Sequence, residues 1–151
     1  MKTPLLVTRL GPGDLDRLRA LNRLFAAAFE DPESYAAAPP SDAYLAALLA
    51  RDHTHVLVAL VGETVIGGLT AYELEKFEQA RREVYIYDLA VDEAHRRQGV
   101  ATALIGELQV VTRSRGAYVI FVQADHGDEP AIALYESLGE REEVLHFDIP
   151  V

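Results

Sequence analysis

The chain of 151 residues contains no cysteine, so it cannot form a disulfide, a thiolate zinc site or a cysteine nucleophile. It also has no long apolar run. Met1 to Leu10 lacks the apolar length and small-residue cleavage site of a signal peptide, and no stretch reaches the roughly 20 apolar residues of a membrane span. We therefore expect a cytoplasmic protein.

Positive charge is scarce, because 14 Lys and Arg stand against 24 Asp and Glu, a formal net charge of −10. An anionic partner would be repelled, which argues against nucleic acid and against a membrane surface. The scarcity is uneven: residues 96–116 hold four bases and one acid, whereas residues 117–151 hold one base and eight acids. This segregation favours an anion site in the first segment and a small polycation near the second. The alternative for the second is an ordinary solvated acidic surface.

The length and the 50% hydrophobic content predict one domain, residues 1–151, with a packed core. No linker or repeat interrupts it. Periodicity and turn residues predict strands at 5–10, 55–61, 64–75, 83–91, 117–124 and 143–149, with helices after Asp14 and Ser41, over 99–113 and from Pro130 to Leu138. This βααβββαβαβ order predicts an α/β fold, a mixed sheet with helices on both faces. The nearly all-apolar segment 117–124 predicts a central strand.

The most informative segment runs from Tyr85 to Leu104, where an apolar strand leads into a basic turn, a glycine and a helix. Free backbone N–H groups and the dipole at a helix start favour phosphate. Gly99 lets the backbone approach a ligand closely, and Arg96 and Arg97 add positive charge. The alternative is a solvated Arg-Arg turn before an ordinary amphipathic helix. Neither a Walker phosphate loop nor the dinucleotide Gly-x-Gly-x-x-Gly fingerprint is present.

The run from Arg96 to Ala101, Arg-Arg-Gln-Gly-Val-Ala, resembles the Gln/Arg-x-x-Gly-x-Gly/Ala signature of the GCN5-related N-acetyltransferases (GNAT), which binds the pyrophosphate of acetyl-CoA. Downstream, Asp128-x-x-Ala-x-x-Leu-Tyr135-x-x-x-Gly139 looks like the second motif of that superfamily, although Asp128 stands where Asn is usual. The element order also fits, so the resemblance covers almost the whole chain and implies a splayed central sheet.

A closer resemblance is to the gentamicin-type aminoglycoside 3-N-acetyltransferases of this superfamily. It rests on segments 76–79, 85–91, 123–125 and 141–148, and the chain departs from it at His126, where members carry Tyr. It implies that Leu89, Ala90 and Val91 bind the pantetheine arm through main-chain groups, beside a bulge that opens the sheet. Further acetyl-CoA contacts are implied for Arg96, Arg97, Gln98, Gly99, Val100, Ala101 and Thr102. Dimerisation is common among such enzymes, so the resemblance also allows a homodimer.

Asp88 is the most conspicuous single residue. By strict alternation it falls on one strand face with Val84, Ile86 and Ala90, so a carboxylate interrupts an apolar row. An unpaired buried carboxylate is costly, which argues for a partner or a task, although a bulge would re-phase the strand and expose it. We expect Asp88 to act as general base toward an amine, or to orient the water that does so. Glu83 is the alternative, acting through water.

The resemblance implies that Tyr135 protonates the departing thiolate, while the alternative is a helix tyrosine packed under the sheet. Acidic residues near the second motif are expected to bind a cationic acceptor. Together with Glu83 they are Asp125, Asp128, Glu129, Glu142 and Glu143. The five histidines show no metal-ligand spacing, so no metal is expected.

The resulting hypothesis is direct acetyl transfer from acetyl-CoA to the 3-amine of the deoxystreptamine ring of an aminoglycoside, which would confer resistance. Two alternatives remain open: a GNAT enzyme that acts on a polyamine or a protein amine, and a non-catalytic module that binds acetyl-CoA.

Overall fold

The computed structural model describes residues 3–151. The strands are β1 (Leu5–Arg9), β2 (Thr54–Val61), β3 (Thr64–Glu75), β4 (Arg82–Val91) and β5 (Ala117–Val122). The helices are α1 (Leu15–Ala28), α2 (Pro32–Tyr35), α3 (Asp42–Leu49), α4 (Val100–Arg113) and α5 (Glu129–Leu138), with a 3₁₀ turn at Glu93–His95. The sequence does not predict α2. This helix begins at Pro32, a residue that suits a first helical position, and it is capped by the Asp31 carboxylate, which accepts from the Ser34 N–H at 3.1 Å.

The strands lie in the order β1-β2-β3-β4-β5, and the first four are antiparallel neighbours. β5 runs parallel to β4, because residues later in β4 contact residues later in β5. The Arg82 N–H donates to the Gly116 carbonyl, the Tyr118 hydroxyl to Glu83, and the Tyr85 and Phe121 rings stack. The structure therefore confirms the predicted α/β class, a mixed sheet flanked by helices.

The two faces of the sheet carry different helices. Leu18, Leu21 and Phe25 recur at three- and four-residue steps along α1 and pack, together with α3, on the face of β2 that presents Val56 and Val58. A Cβ on Gly68 of β3 would lie 2.5 Å from a Leu21 methyl, so α1 approaches the sheet closely there. α4 covers the opposite face through Val100, Leu104 and Leu108, which are buried.

Two sequence predictions for the last third of the chain are wrong. β5 is at the end of the strand order rather than central, and Tyr118 and Val119 are 48% and 39% exposed. An apolar run fits a half-covered strand as well as a buried one, so composition alone misplaces it. The final strand predicted at 143–149 is absent. Residues 140–151 have no regular secondary structure, because alternating apolar residues form a strand only beside another strand.

Glu73 of β3 lies at the centre of a buried charge network on the α4 face. The Arg115 Nε lies 2.5 Å from one oxygen of its carboxylate and the Arg115 Nη2 3.1 Å from the other. The His55 Nε2 is 2.7 Å from Glu73, and the Arg9 Nε donates to His55 Nδ1 at 3.0 Å. Burial alone would raise the pKa of Glu73, but the hydrogen bonds from Arg115 and His55 outweigh it and lower the pKa. Burial lowers the pKa of His55 despite its bond to Glu73.

The described chain divides into two compact units, one that ends at Phe121 and one that spans Val122–Val151. The first contains the sheet with α1 to α4, and the second contains α5 and the C-terminal segment 140–151. Within residues 3–151, no helix combines the length and the apolar character needed to cross a bilayer.

Candidate active site

A bulge in β4 determines where the Asp88 side chain lies. Thr70 pairs with Asp88 but Ala71 pairs with Ile86, so Tyr87 is an extra residue without a partner on β3. Directly paired residues share a face of the sheet. Asp88 therefore lies on the α1 face with Thr70, whereas Ile86 lies on the α4 face with Ala71. The apolar row inferred from strict alternation is wrong, because the bulge shifts the alternation by one residue.

The Asp88 carboxylate, which is half-buried, is held by two hydroxyl groups. The Thr70 Oγ1 donates to Oδ2 at 2.6 Å, and the Tyr35 hydroxyl donates to Oδ1. Tyr35 comes from α2, whereas Thr70 comes from the neighbouring strand, so the carboxylate is contacted from two elements of the fold. Burial, followed by the hydrogen bond to Asp88, raises the pKa of Tyr35. The phenol therefore stays protonated and remains a donor.

Tyrosine side chains surround this carboxylate. Tyr72 and Tyr85 are paired across β3 and β4, and the Tyr87 ring lies 6.2 Å and 5.6 Å from their respective ring centroids. Burial, and then the nearby charge of Asp88, raises the pKa of Tyr72. Tyr87 is 63% exposed. We call Tyr35, Tyr72, Tyr85 and Tyr87, together with Asp88, the tyrosine recess. Such rings offer faces for a cation and hydroxyls for hydrogen bonds.

Asp88 has no cationic partner among the residues that the structure describes. Its partners within residues 3–151 are the two neutral hydroxyls, and none of the ion pairs there includes it. Two neutral donors orient a carboxylate without cancelling its charge. The recess is therefore suited to bind a positively charged group such as an ammonium.

The predicted anion site follows β4. Arg97 has φ 61° and Gly99 has φ 78°, so the backbone takes a left-handed conformation at two positions just before α4. Left-handed backbone is costly for a residue other than glycine and concentrates at functional sites. No side chain among residues 3–151 caps α4, and a Cβ on Gly99 would meet nothing within 4 Å, so the space before the helix is open.

This loop fits the pyrophosphate of acetyl-CoA. The N–H groups of Val100, Ala101 and Thr102 have no partner within the helix, because a first turn leaves its donors free. The side chains of Arg96, Arg97 and Gln98 are exposed beside them. The Arg96 Nε donates to the Val91 carbonyl at 3.1 Å, which connects the loop to the end of β4.

The last residues of β4 offer main-chain groups to an extended ligand. Leu89, Ala90 and Val91 pair with Leu69, Gly68 and Gly67 of β3. In an antiparallel pair, alternate residues direct their N–H and C=O groups away from the partner strand. These groups fit the predicted pantetheine contacts. The bulge at Tyr87 lies two residues before this stretch, close to where the sequence resemblance implies one.

Glu83 lies five residues before Asp88 on β4, and its carboxylate is already occupied. It accepts from the Tyr118 hydroxyl at 2.5 Å and lies 3.4 Å from the Lys76 ammonium. The hydrogen bond from Tyr118 is the main cause that lowers the pKa of Glu83. A carboxylate with a lowered pKa and two partners is a weaker base, so this geometry favours Asp88 over Glu83.

The second unit carries Tyr135 on α5. Burial raises the pKa of Tyr135 to about 12, and the nearby charge of Asp128 adds to the effect. The phenol is therefore protonated at neutral pH, as a proton donor must be. Asp128 itself caps α5, because its carboxylate accepts from the Ala131 N–H at 3.4 Å. This contact gives Asp128 a structural role.

The other predicted acidic residues of the second unit are exposed. Glu143 is bound to the Arg141 guanidinium at 2.7 Å, so part of its charge is compensated. Asp125, Glu129 and Glu142 lie on the surface. Within residues 3–151, no group of three or more His, Asp or Glu side chains is placed to hold a metal ion.

The tyrosine recess was not predicted from sequence. Tyr35 precedes Asp88 by 53 positions, and nothing in the local sequence of α2 indicates that contact. Thr70 and Tyr72 alternate along β3, which places them on one face, but only the register of the bulged pair brings that face to Asp88. The Tyr85-Ile86-Tyr87 run was the one visible signal.

Comparison with solved structures gives close matches along almost the whole chain. An aminoglycoside acetyltransferase from an uncultured soil metagenomic sample is 55% identical, with a TM-score of 0.96 over 98% of this chain and 99% of that one. A second aminoglycoside acetyltransferase from such a sample, in complex with sisomicin, is 36% identical, with a TM-score of 0.90 over 97% and 96%.

Curated proteins match more weakly. The [ribosomal protein bS18]-alanine N-acetyltransferase of Escherichia coli (strain K12) is 35% identical over 63 residues, which is 42% of this chain and 43% of that protein. The chain spans about a third to two fifths of the length of the curated relatives it matches. The sequence also matches the acetyltransferase (GNAT) family over residues 18–139. This chain belongs to the GNAT acetyltransferase family.

Proposed function

We propose that residues 1–151 form one catalytic domain that acetylates an aminoglycoside at the 3-amine of its deoxystreptamine ring. The observation that carries this proposal is the uncompensated Asp88 carboxylate in the tyrosine recess. A half-buried negative charge held only by neutral donors favours an ammonium over a neutral acceptor. The similarity to two aminoglycoside acetyltransferases over nearly the whole chain supports the same substrate class.

The cofactor site combines two parts of the chain. The N–H groups at the start of α4, with Arg96, Arg97 and Gln98, would hold the pyrophosphate of acetyl-CoA. The main chain of Leu89, Ala90 and Val91 would hold the pantetheine arm. Acetyl-CoA supplies the activated acetyl group when bound. Because β4 contains both Asp88 and the pantetheine contacts, one strand would orient both substrates, and such positioning accounts for much of the rate of a bimolecular transfer.

Two side chains would move protons. Asp88 takes a proton from the acceptor ammonium, directly or through water, which frees the nitrogen lone pair. As the new N–C bond forms at the acetyl carbonyl carbon, the C–S bond breaks, and Tyr135 donates a proton to the departing thiolate. The nitrogen releases its second proton to water as the amide forms, and Tyr135 regains a proton from water. Transfer is direct, without a covalent enzyme intermediate. The exposed carboxylates Asp125, Glu129 and Glu142 would attract the polycation, with Glu83, Asp128 and Glu143 contributing while they keep their structural contacts.

The experiment that tests this proposal is acetylation by the purified chain with acetyl-CoA and sisomicin. NMR of the product identifies the modified amine. Acetylation at the 3-amine supports the proposal, and acetylation at another amine of the ring system corrects the position. Parallel reactions contain spermine and a peptide with an N-terminal alanine. Acetylation of spermine or of the peptide, with no acetylation of sisomicin, would show that the substrate is a polyamine or a protein amine rather than an aminoglycoside. Binding of acetyl-CoA without any turnover would indicate a non-catalytic module.

The biological consequence follows from charge. Acetylation converts an ammonium into a neutral amide, so the antibiotic loses one positive charge and binds an anionic target more weakly. We place this reaction in the cytoplasm and propose that it confers resistance. Bacteria that express the chain should tolerate more sisomicin than bacteria that express Asp88→Asn at the same level. Equal sensitivity of the two strains would exclude a resistance role.

We also propose that the chain acts as a homodimer. The side chains of Leu145, Phe147, Ile149 and Val151 alternate along the C-terminal segment and are between 77% and 128% exposed. A row of exposed apolar side chains of this kind is normally covered, and a second copy offers the same row across a two-fold axis. Leu145→Ser with Phe147→Ser should convert a dimer to a monomer in light scattering. A wild-type chain that is monomeric at micromolar concentration would contradict the proposal.

A further inference from the structure

The Asp88 carboxylate is fixed in orientation at both oxygens. Tyr35 donates to Oδ1 and Thr70 to Oδ2, so rotation about the terminal torsion of Asp88 would break both bonds. A carboxylate has about four acceptor sites, and two donors leave two of them for another ligand. The arrangement therefore restrains Asp88 without blocking it.

Packing against core side chains fixes the direction of the Tyr35 hydroxyl. Its ring packs edge-on against Phe25, with centroids 5.8 Å apart, and lies 5.5 Å from the Phe29 ring. Phe25 is fully buried. The cap of α2 by Asp31 further fixes the backbone that carries Tyr35. The aromatic packing involves the ring of Tyr35, and the hydrogen bond to Asp88 involves its hydroxyl. Tyr35→Phe therefore removes the hydrogen bond and keeps the packing.

We propose that Tyr35 and Thr70 are positioning residues that hold Asp88 in the orientation needed to take a proton from the acceptor amine. This inference rests on the proposed function, because it concerns how Asp88 performs its step. Tyr35 and Thr70 act through Asp88 and need no contact with the acetyl group. Both donors are neutral, so they restrain the carboxylate while its charge stays available to a cation.

The test compares single and double variants in steady-state acetylation. Tyr35→Phe keeps the ring and should lower kcat about 10-fold, the effect of one lost hydrogen bond to a charged group. The KM for acetyl-CoA should not change. Thr70→Val should behave in the same way, whereas Thr70→Ser keeps the hydroxyl and should restore nearly all of the rate. Ser114→Ala, which removes an exposed hydroxyl at the end of α4, is the matched control and should leave kcat unchanged.

A double-mutant cycle separates positioning from general damage. In an Asp88→Asn background, Tyr35→Phe should reduce kcat by less than 2-fold, because its partner carboxylate is gone. The same 10-fold loss in both backgrounds would overturn the inference, as would an unchanged kcat for Tyr35→Phe in the active enzyme. These outcomes leave the proposed function standing. A wild-type chain that acetylates no amine would overturn the proposed function and this inference together.

Discussion

Glu73 and Asp88 are carboxylates on neighbouring strands, yet they lie on opposite faces of the sheet and in opposite electrostatic settings. Glu73 is 6% exposed and is bound by Arg115 and His55. Asp88 is half-buried and is bound by two neutral hydroxyls. A compensated charge stabilises the fold, whereas an oriented and uncompensated charge remains available to a ligand. Depth of burial alone would have pointed to Glu73, whereas the proposed function uses Asp88.

The largest expected effect comes from removing the charge at Asp88. Asp88→Asn should lower kcat by about 10²- to 10⁴-fold, the usual contribution of a general base. The melting temperature should change little, because no ion pair is lost. Glu73→Gln is the matched comparison and should retain activity per folded molecule within about twofold, because Glu73 lies on the other face. Acetylation kinetics at one temperature, corrected for folded fraction by circular dichroism, would test both. Equal losses of kcat in the two variants would contradict the proposed functional difference between Asp88 and Glu73.

The next effect concerns stability. Glu73→Gln removes a buried carboxylate and leaves the partly exposed Arg115 guanidinium without its counter-charge, which should cost about 3 kcal/mol of unfolding free energy. Urea denaturation and thermal melting measure this loss, which should lower the melting temperature by on the order of 10 °C. Glu75→Gln, on an exposed side chain of the same strand, is the control and should change stability by less than about 1 kcal/mol. A stable Glu73→Gln variant would show that the network is dispensable.

The smallest effect is the pH dependence of stability. Burial lowers the pKa of His55 below its usual 6.5, so the unfolded chain takes up this proton first as the pH falls. Stability should therefore decline as the pH drops below about 6.5. The lowered pKa of Glu73 adds a second decline below its ordinary value of 4.5. Urea midpoints between pH 7 and pH 4 would show both. His146→Gln, on an exposed histidine, should leave the profile unchanged, whereas a flat wild-type profile would contradict this account.

Local features of the sequence predicted much of the fold. The helical periodicity of α1 and α4, the helix after Ser41 and the short connection between the strands predicted at 55–61 and 64–75 each depend on nearby residues, and those elements appear as expected. The loop proposed to hold pyrophosphate is likewise a local feature, because a strand, a glycine and a helix follow one another along the chain. The single-domain organisation and the roles of the site residues stay predictions.

Features that depend on distant residues were missed. The partner of Asp88 on α2 lies 53 positions away, and the face on which Asp88 lies depends on a pairing register that no local pattern records. The strand predicted at 143–149 failed for a related reason: alternation predicts that a segment can form a strand, but only a neighbouring strand makes it one. Glu73 was not singled out either, since its partner Arg115 follows 42 positions later.

The extra residue at Tyr87 has a consequence for how this enzyme could change over time. Residues after it occupy the side of the sheet opposite to that expected from counting in twos. Deleting Tyr87 would place Asp88 directly after Ile86, and adjacent residues of a regular strand point to opposite faces, so the carboxylate would stay opposite Thr70 on the α1 face. The deletion would instead remove the bend that the extra residue gives to β4, together with the Tyr87 ring. We therefore expect β4 to tolerate the loss of this one residue without moving Asp88 to the other face, and any loss of activity would report on the course of the strand rather than on the position of the carboxylate.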